Sequence, residues 1–144
     1  MPTPTSTQTI QSYLFFNGRC EEALEFYKKA LGAEVGMLMR FKDAPDQEGC
    51  PGGQKPDENL VMHCDFTVKG SVIMASDGMG QGGPKFDGFC LSVTATDEAE
   101  AQKFFAGLSD GGSVTMPLGK TFYSPCFGMV EDRFGLGWMV IVPQ

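Results

Sequence analysis

Histidine is almost missing from this 144-residue chain: His63 is the only one. That excludes a multi-histidine metal centre. The cysteines are five, Cys20, Cys50, Cys64, Cys90 and Cys126, and none forms a C-x-x-C pair. Neither a zinc framework nor a disulfide framework is spelled out, so reduced thiols in a cytoplasmic protein are the reading. No apolar run approaches the roughly 18 residues of a membrane span. The first stretch, 1–9, is Thr/Pro-rich and lacks the apolar core of a secretory signal; it reads as a disordered tail. Basic residues are sparse, 11 Lys and Arg against 18 Asp and Glu, for a net charge of -7. Only Lys28 and Lys29 are adjacent, and without a basic patch nucleic acid is excluded as a partner.

What is present is an alternation of element types. Ile10–Asn17 is rich in aromatic and branched residues and predicts a strand. Cys20–Leu31 carries Ala23, Leu24, Tyr27, Ala30 and Leu31 at the spacing of one helical face, with Glu21 and Glu22 at its start, Lys28 and Lys29 near its end, and Gly32 as a stop. Ala33–Phe41 predicts a second strand. A mobile loop, 42–59, follows, with three Pro, three Gly and five acids. Leu60–Val68 and Ser71–Ser76 predict a hairpin turning at Lys69-Gly70. The series then repeats: strand Gly88–Thr94, helix Glu98–Leu108 with Asp97 as N-cap, a short strand Ser113–Met116, and strands Phe122–Val130 and Trp138–Val142. The halves also match weakly, Ala23-x-x-Phe26-Tyr27 over Ala101-x-x-Phe104-Phe105 and Gly70-x-x-Ile73-Met74 over Gly135-x-x-Trp138-Met139. The fold class is therefore α+β, with two tandem β-α-β-β-β modules, 10–77 and 88–144, joined by a linker 78–87 and together making one domain.

Tyr13-Leu14-Phe15-Phe16-Asn17-Gly18, the Glu-Ala-Leu-Glu-Phe-Tyr of the first helix, Met62-His63, Ile73-Met74-Ala75-Ser76-Asp77 and Asp132-Arg133-Phe134-Gly135-x-x-Trp138-Met139 resemble the PhnB-like branch of the glyoxalase/bleomycin-resistance (vicinal oxygen chelate) superfamily. The resemblance covers Ile10 to the C-terminus. It implies modules that each make an incompletely closed barrel, and a homodimer. Some relatives carry a ubiquinone-pathway methyltransferase label. Metal-dependent members place His, Gln or Glu at positions that fall here on Ser12, Met74, Gly88 or Cys90, and Met139. None of these supplies an imidazole or carboxylate, so no metal site and no cofactor are expected. The alternative is a divalent metal held by His63, Asp65 and a loop carboxylate.

Strand parity gives a cavity wall independently of the family. A two-residue turn at Lys69-Gly70 pairs Val68 with Ser71, Asp65 with Met74 and His63 with Ser76. One face then carries His63, Asp65, Thr67, Val72, Met74 and Ser76; the other, with Met62, Cys64, Phe66, Ile73 and Ala75, is apolar and packs on the helices. Parity adds Ser12, Leu14 and Phe16 to the cavity set, and Cys90, Phe122 and Met139 complete it. Phe122, Tyr123 and Phe127, with Phe16, offer aromatic walls, or else core or dimer contacts. His63 is the catalytic candidate, since imidazole titrates near neutrality; otherwise it is a wall residue bonded to Ser76 or Asp65. Trp138 reads as core, Asp77 as a turn or cap residue, and Glu131 and Asp132 as a solvated turn. Gly78-x-Gly80-x-x-Gly83 matches a dinucleotide fingerprint, but Pro84 and a strand follow where a helix is required, so it reads as linker.

The function expected is binding of an unidentified small molecule. The alternative is a lyase-, isomerase- or dioxygenase-type enzyme using a non-standard metal site or His63 as acid/base. A third reading is a protein-interaction module acting through the loop 42–59.

Overall fold

The computed structural model describes residues 9–43, 57–78 and 82–144. Most of the tail 1–9, most of the loop 42–59 and the middle of the glycine-rich linker lie outside the described residues.

The first half of the chain forms β1 (Tyr13–Phe15), α1 (Cys20–Leu31), β2 (Glu34–Arg40), β3 (Val61–Val68) and β4 (Ser71–Ser76). The second forms β5 (Cys90–Thr94), α2 (Glu98–Ser109), β6 (Ser113–Gly119), β7 (Cys126–Glu131) and β8 (Gly137–Val142). Two open four-stranded sheets result, ordered β1-β4-β3-β2 and β5-β8-β7-β6. In each, the strand before the helix lies parallel to the last strand of the module. This is the repeated β-α-β-β-β pattern of the sequence.

Contacts divide the chain into two compact units: Met1–Glu25 with Ala33–Gly83, and Phe26–Gly32 with Pro84–Gln144. The second half of α1 thus groups with unit 2. Its side chains explain this: the Phe26 and Tyr27 rings meet Phe134 edge-on at 5.6 and 6.1 Å. Ala30 lies where a Cβ on Gly107 of α2 would clash.

In unit 1 the core is built from one face of the sheet. Leu14, Phe16, Cys64, Phe66 and Ala75 are fully buried or nearly so, the larger of them contributing about 1.5–3 kcal/mol each. The β3–β4 register is the one the turn dictates: Val68 opposes Ser71 and Asp65 opposes Met74. Lys69 and Gly70 both take positive φ, 50° and 88°, the geometry of a two-residue hairpin turn whose twist matches its strands. β1 is shorter than expected at both ends; at its C-terminal end Asn17 and Gly18, with φ of 48° and 108°, turn the chain into α1.

The two helices start differently. Asp97 caps α2 locally, its carboxylate accepting the Glu100 N–H at 2.8 Å. α1 follows Arg19 and has no such residue beside it. Asp77, just beyond β4, supplies the carboxylate instead: Oδ1 accepts from Gly18 N and Cys20 N, each at 2.8 Å, and Oδ2 from Val61 N at 2.9 Å. The expected capping role of Asp77 is observed, and it closes β1, α1, β3 and β4 on one buried group.

In unit 2 Trp138 is buried, as expected. Asp132 corrects the solvated-turn reading. It is 3% exposed, and its carboxylate accepts from Tyr27 Oη at 2.6 Å, Trp138 Nε1 at 2.9 Å, Phe134 N at 2.9 Å and Leu136 N at 3.1 Å. Four donors compensate the removal of a carboxylate from water.

Candidate functional site

The face of the first sheet turned away from the buried core carries the groups with chemistry. β3 contributes His63, Asp65 and Thr67 in alternation, all half-buried, while the intervening Cys64, Phe66 and Val68 are buried. β4 adds Met74 opposite Asp65, and Ser76 next along the same row. β2 adds Met39 opposite His63.

β1 requires a correction. It pairs with β4 in parallel, Tyr13 opposite Met74, Leu14 opposite Ala75 and Phe15 opposite Ser76. Paired neighbours share a face, so Tyr13 and Phe15 lie on the face that carries His63. Leu14 and Phe16 belong to the helix-side core, at 1% and 0% exposure. Ser12 precedes the strand, and its carbonyl accepts the Met74 N–H at 3.0 Å. Tyr-Leu-Phe-Phe is apolar on both faces, so its alternation carries no parity signal. The missing cue was the parallel register itself, which places Tyr13 in the Met74 row.

Tyr13 proves to be the partner of His63. Its Oη lies 2.8 Å from His63 Nδ1, with ring centroids 5.5 Å apart and Phe15 a further 5.1 Å from Tyr13. Burial, opposed by a hydrogen bond with Ser76, pushes the Tyr13 phenol above its ordinary value of 10.0; it stays protonated at neutral pH. In the tautomer with its proton on Nε2 the imidazole accepts the phenol's hydrogen at Nδ1; in the tautomer with its proton on Nδ1 it donates to the phenol oxygen. With an imidazolium, Nδ1–H donates to the phenol oxygen.

Asp65 does not orient the imidazole. Its Oδ1 accepts the Met37 N–H at 3.1 Å and occupies the space where a Cβ on residue 36 would stand. The β2–β3 register shifts at this point, between Val35 and Leu38. Asp65 satisfies the amide that the bulge frees, and Gly36 makes room for it.

Unit 2 presents a different surface. Ser92, Met139, Met129 and Met116 form one row in register across β5, β8, β7 and β6. Cys90 lies two residues before Ser92, half-buried, opposite Gly137. Phe122 is 93% exposed and outside the sheet. It meets Tyr123 at 5.0 Å, and Tyr123 meets Phe127 at 5.4 Å, both edge-on.

The superfamily positions for a divalent metal fall on Ser12 and Met74 in unit 1, a hydroxyl and a thioether, and on Gly88 or Cys90 and Met139 in unit 2, at most a thiol and a thioether. Such metals want nitrogen and oxygen donors in matched geometry, and this set does not fit. The alternative built on His63, Asp65 and a loop carboxylate draws its third ligand from the loop 42–59, most of which lies outside the described residues; within them, Asp65 Oδ1 accepts the Met37 N–H. No group of three or more His, Cys, Asp or Glu able to hold a metal occurs among the described residues. Nor is any helix among them long and apolar enough to cross a membrane.

Two open four-stranded sheets in a repeated β-α-β-β-β order, each with a parallel pair at one edge, match the glyoxalase/bleomycin-resistance fold. A glyoxylase/bleomycin resistance protein/dioxygenase domain from Frankia sp. shares that fold, with a TM-score of 0.60 at 14% identity over 98% of this chain and 94% of its own. Within it, the chain belongs to the PhnB-like family whose model is described as 3-demethylubiquinone-9 3-methyltransferase, which matches residues 8–141. YjdN of Escherichia coli is 33% identical over 138 residues, 92% of this chain and 94% of that protein. A PhnB protein from Bacillus cereus is 30% identical with a TM-score of 0.76, covering 94% of this chain and 99% of its own.

Proposed function

We propose that the chain is a metal-independent small-molecule-binding protein, whose ligand lies on the open face of unit 1. Phe15, Tyr13 and His63 form a wall for a flat, largely apolar body, and the His63 Nε2–H meets an acceptor oxygen on it. The Tyr13–His63 contact at 2.8 Å carries this reading. A phenol fixing one imidazole nitrogen while the other is free to donate is a small polar constellation on an aromatic surface, the usual make-up of a ligand site. Membership of the superfamily supports a ligand at this face, and also supports a homodimer, which light scattering of the purified chain checks.

The test is thermal-shift and calorimetric titration with a panel of quinones and aromatic antibiotics. A hit raises Tm by mass action. His63→Ala is expected to weaken it roughly 5- to 30-fold, the effect of losing a hydrogen bond and a stacked ring. A panel without a single shift removes the proposal, and so does stoichiometric transition metal in the purified protein.

The methyl transfer named in the family description calls for an S-adenosylmethionine site. The strand–glycine–helix unit that would make one is not at Gly78-x-Gly80-x-x-Gly83: Pro84 follows, and the next regular element is β5. The same Tyr13–His63 contact supports one second reading, a metal-free acid/base enzyme in which Tyr13 positions His63. An unchanged turnover rate in His63→Ala would dismiss that reading alone.

A further inference from the structure

Cys20 opens α1 and Cys64 sits in the middle of β3. Their Sγ atoms are 3.6 Å apart, both residues are fully buried, and both are free thiols. Nothing in the ligand-binding reading uses them. A disulfide has an S–S length of about 2.05 Å, so the sulfurs need close only by roughly 1.5 Å from their present 3.6 Å. Rotation about two Cα–Cβ bonds supplies movement of that size.

We propose that Cys20 and Cys64 are an oxidative modification site, joined as a disulfide by a two-electron thiol oxidant, a peroxide or a low-molecular-weight disulfide. The bond ties the start of α1 to β3. Cys64 lies between His63 and Asp65, and α1 begins shortly after β1, so the link fixes both strands that carry the Tyr13–His63 pair.

The order of events follows from the environment. The hydrogen bond to Cys64, then burial, then the Asp77 and Glu21 carboxylates push Cys20 far above the ordinary thiol range. Cys20 keeps its proton, and the hydrogen bond it gives lowers Cys64, so Cys64 is the sulfur that ionises more readily. With a peroxide, the Cys64 thiolate attacks one oxygen and the O–O bond breaks; the departing hydroxide takes a proton to become water, leaving a sulfenic acid. The Cys20 sulfur then attacks the Cys64 sulfur. The S–O bond breaks, and the hydroxyl leaves as water with the Cys20 proton. Two thiols have lost two electrons and two protons, and the peroxide has become two waters. Because both sulfurs are sheltered, the first step requires local opening, and the half-exposed Cys90 reacts sooner.

The experiment treats the full chain with hydrogen peroxide or diamide and maps peptides without reduction. A peptide pair joined through Cys20 and Cys64 is expected. So is a Tm higher by about 5 °C, since the bond closes a long loop, returning to its starting value with dithiothreitol. His63 ring resonances should move with oxidation. Cys90→Ser keeps all three responses; Cys20→Ala and Cys64→Ala lose them. Recovery of Cys20 and Cys64 as separate free thiols, under conditions that oxidise Cys90, overturns the proposal, as does a bridge from either to a different cysteine. Should the alanine variants fail to fold, peptide mapping of the unaltered chain decides alone.

Discussion

The two units share a strand order and differ in what they display. Their helix-side rows are equivalent: Leu14, Phe16 and Phe66 in one, Val93, Val130 and Val140 in the other, all buried. Their opposite rows have diverged. Unit 1 carries a phenol, an imidazole, a carboxylate and a hydroxyl; unit 2 carries thioethers in register, flanked by Ser92 and Cys90. Duplicated packing therefore constrains one face of each sheet and leaves the other free to acquire chemistry. The buried carboxylates diverge as well. Asp77 gathers three backbone N–H groups at the start of α1. Asp132 gathers two backbone and two side-chain donors at the β7–β8 turn.

That difference sets the largest expected effect. Asp132→Ala leaves the Trp138 and Tyr27 donors and two amides buried without an acceptor, and is expected to cost about 3–5 kcal/mol. Asp77→Ala strands three backbone donors, at Gly18, Cys20 and Val61, and no side-chain donor; about 2–3 kcal/mol is expected. Urea denaturation of both variants checks the order. A reversal would mean that the unit 1 junction, not the Tyr27–Asp132–Trp138 cluster, is the costlier anchor to lose.

What the sequence disclosed tracks how locally each feature is determined. The β3–β4 register was legible because two turn residues fix it, and the Asp97 cap because its partner Glu100 is three positions away. The parity of β1 was not legible: its partner β4 is reached through no turn, and Tyr13 to Phe16 offer no polar alternation. Asp132 hid for the opposite reason. Its turn was visible, but Tyr27, 105 positions away, is brought to it only by the packing of α1. The role of Asp65 was masked because a bulge in β2 cannot be read from β3. His63 was singled out, but its partner was unreadable until the parallel pairing placed Tyr13 beside it.

The bulge sharpens the comparison of faces. Gly36→Ala puts a methyl where the Asp65 carboxylate now sits and is expected to cost about 1–2 kcal/mol by pushing that group off the Met37 amide. In an Asp65→Ala background the same substitution should cost much less. A double-mutant cycle measures the coupling. Additive effects would show that Asp65 does not buttress the bulge, and would release it to act with His63.

The smallest effect separates the units by pH. Each has a thiol whose proton is held more tightly in the folded state: Cys20, by its bond to Cys64 and by burial, and Cys126, by burial and Glu98. The unfolded chain ionises both near 9.0, so above that pH the unfolded state binds fewer protons than the native one. Stability is then whole below about pH 9 and falls as pH rises, by at most about 1.4 kcal/mol per pH unit for each group. The Cys20–Cys64 hydrogen bond raises Cys20 and lowers Cys64, and Cys20 is displaced further than Cys126, so the double variant Cys20→Ala/Cys64→Ala should flatten the alkaline decline between pH 9 and 10.5 more than Cys126→Ala does. Equal flattening would place the two thiols in equivalent surroundings, against the distinct packing that the Cys20–Cys64 contact gives unit 1.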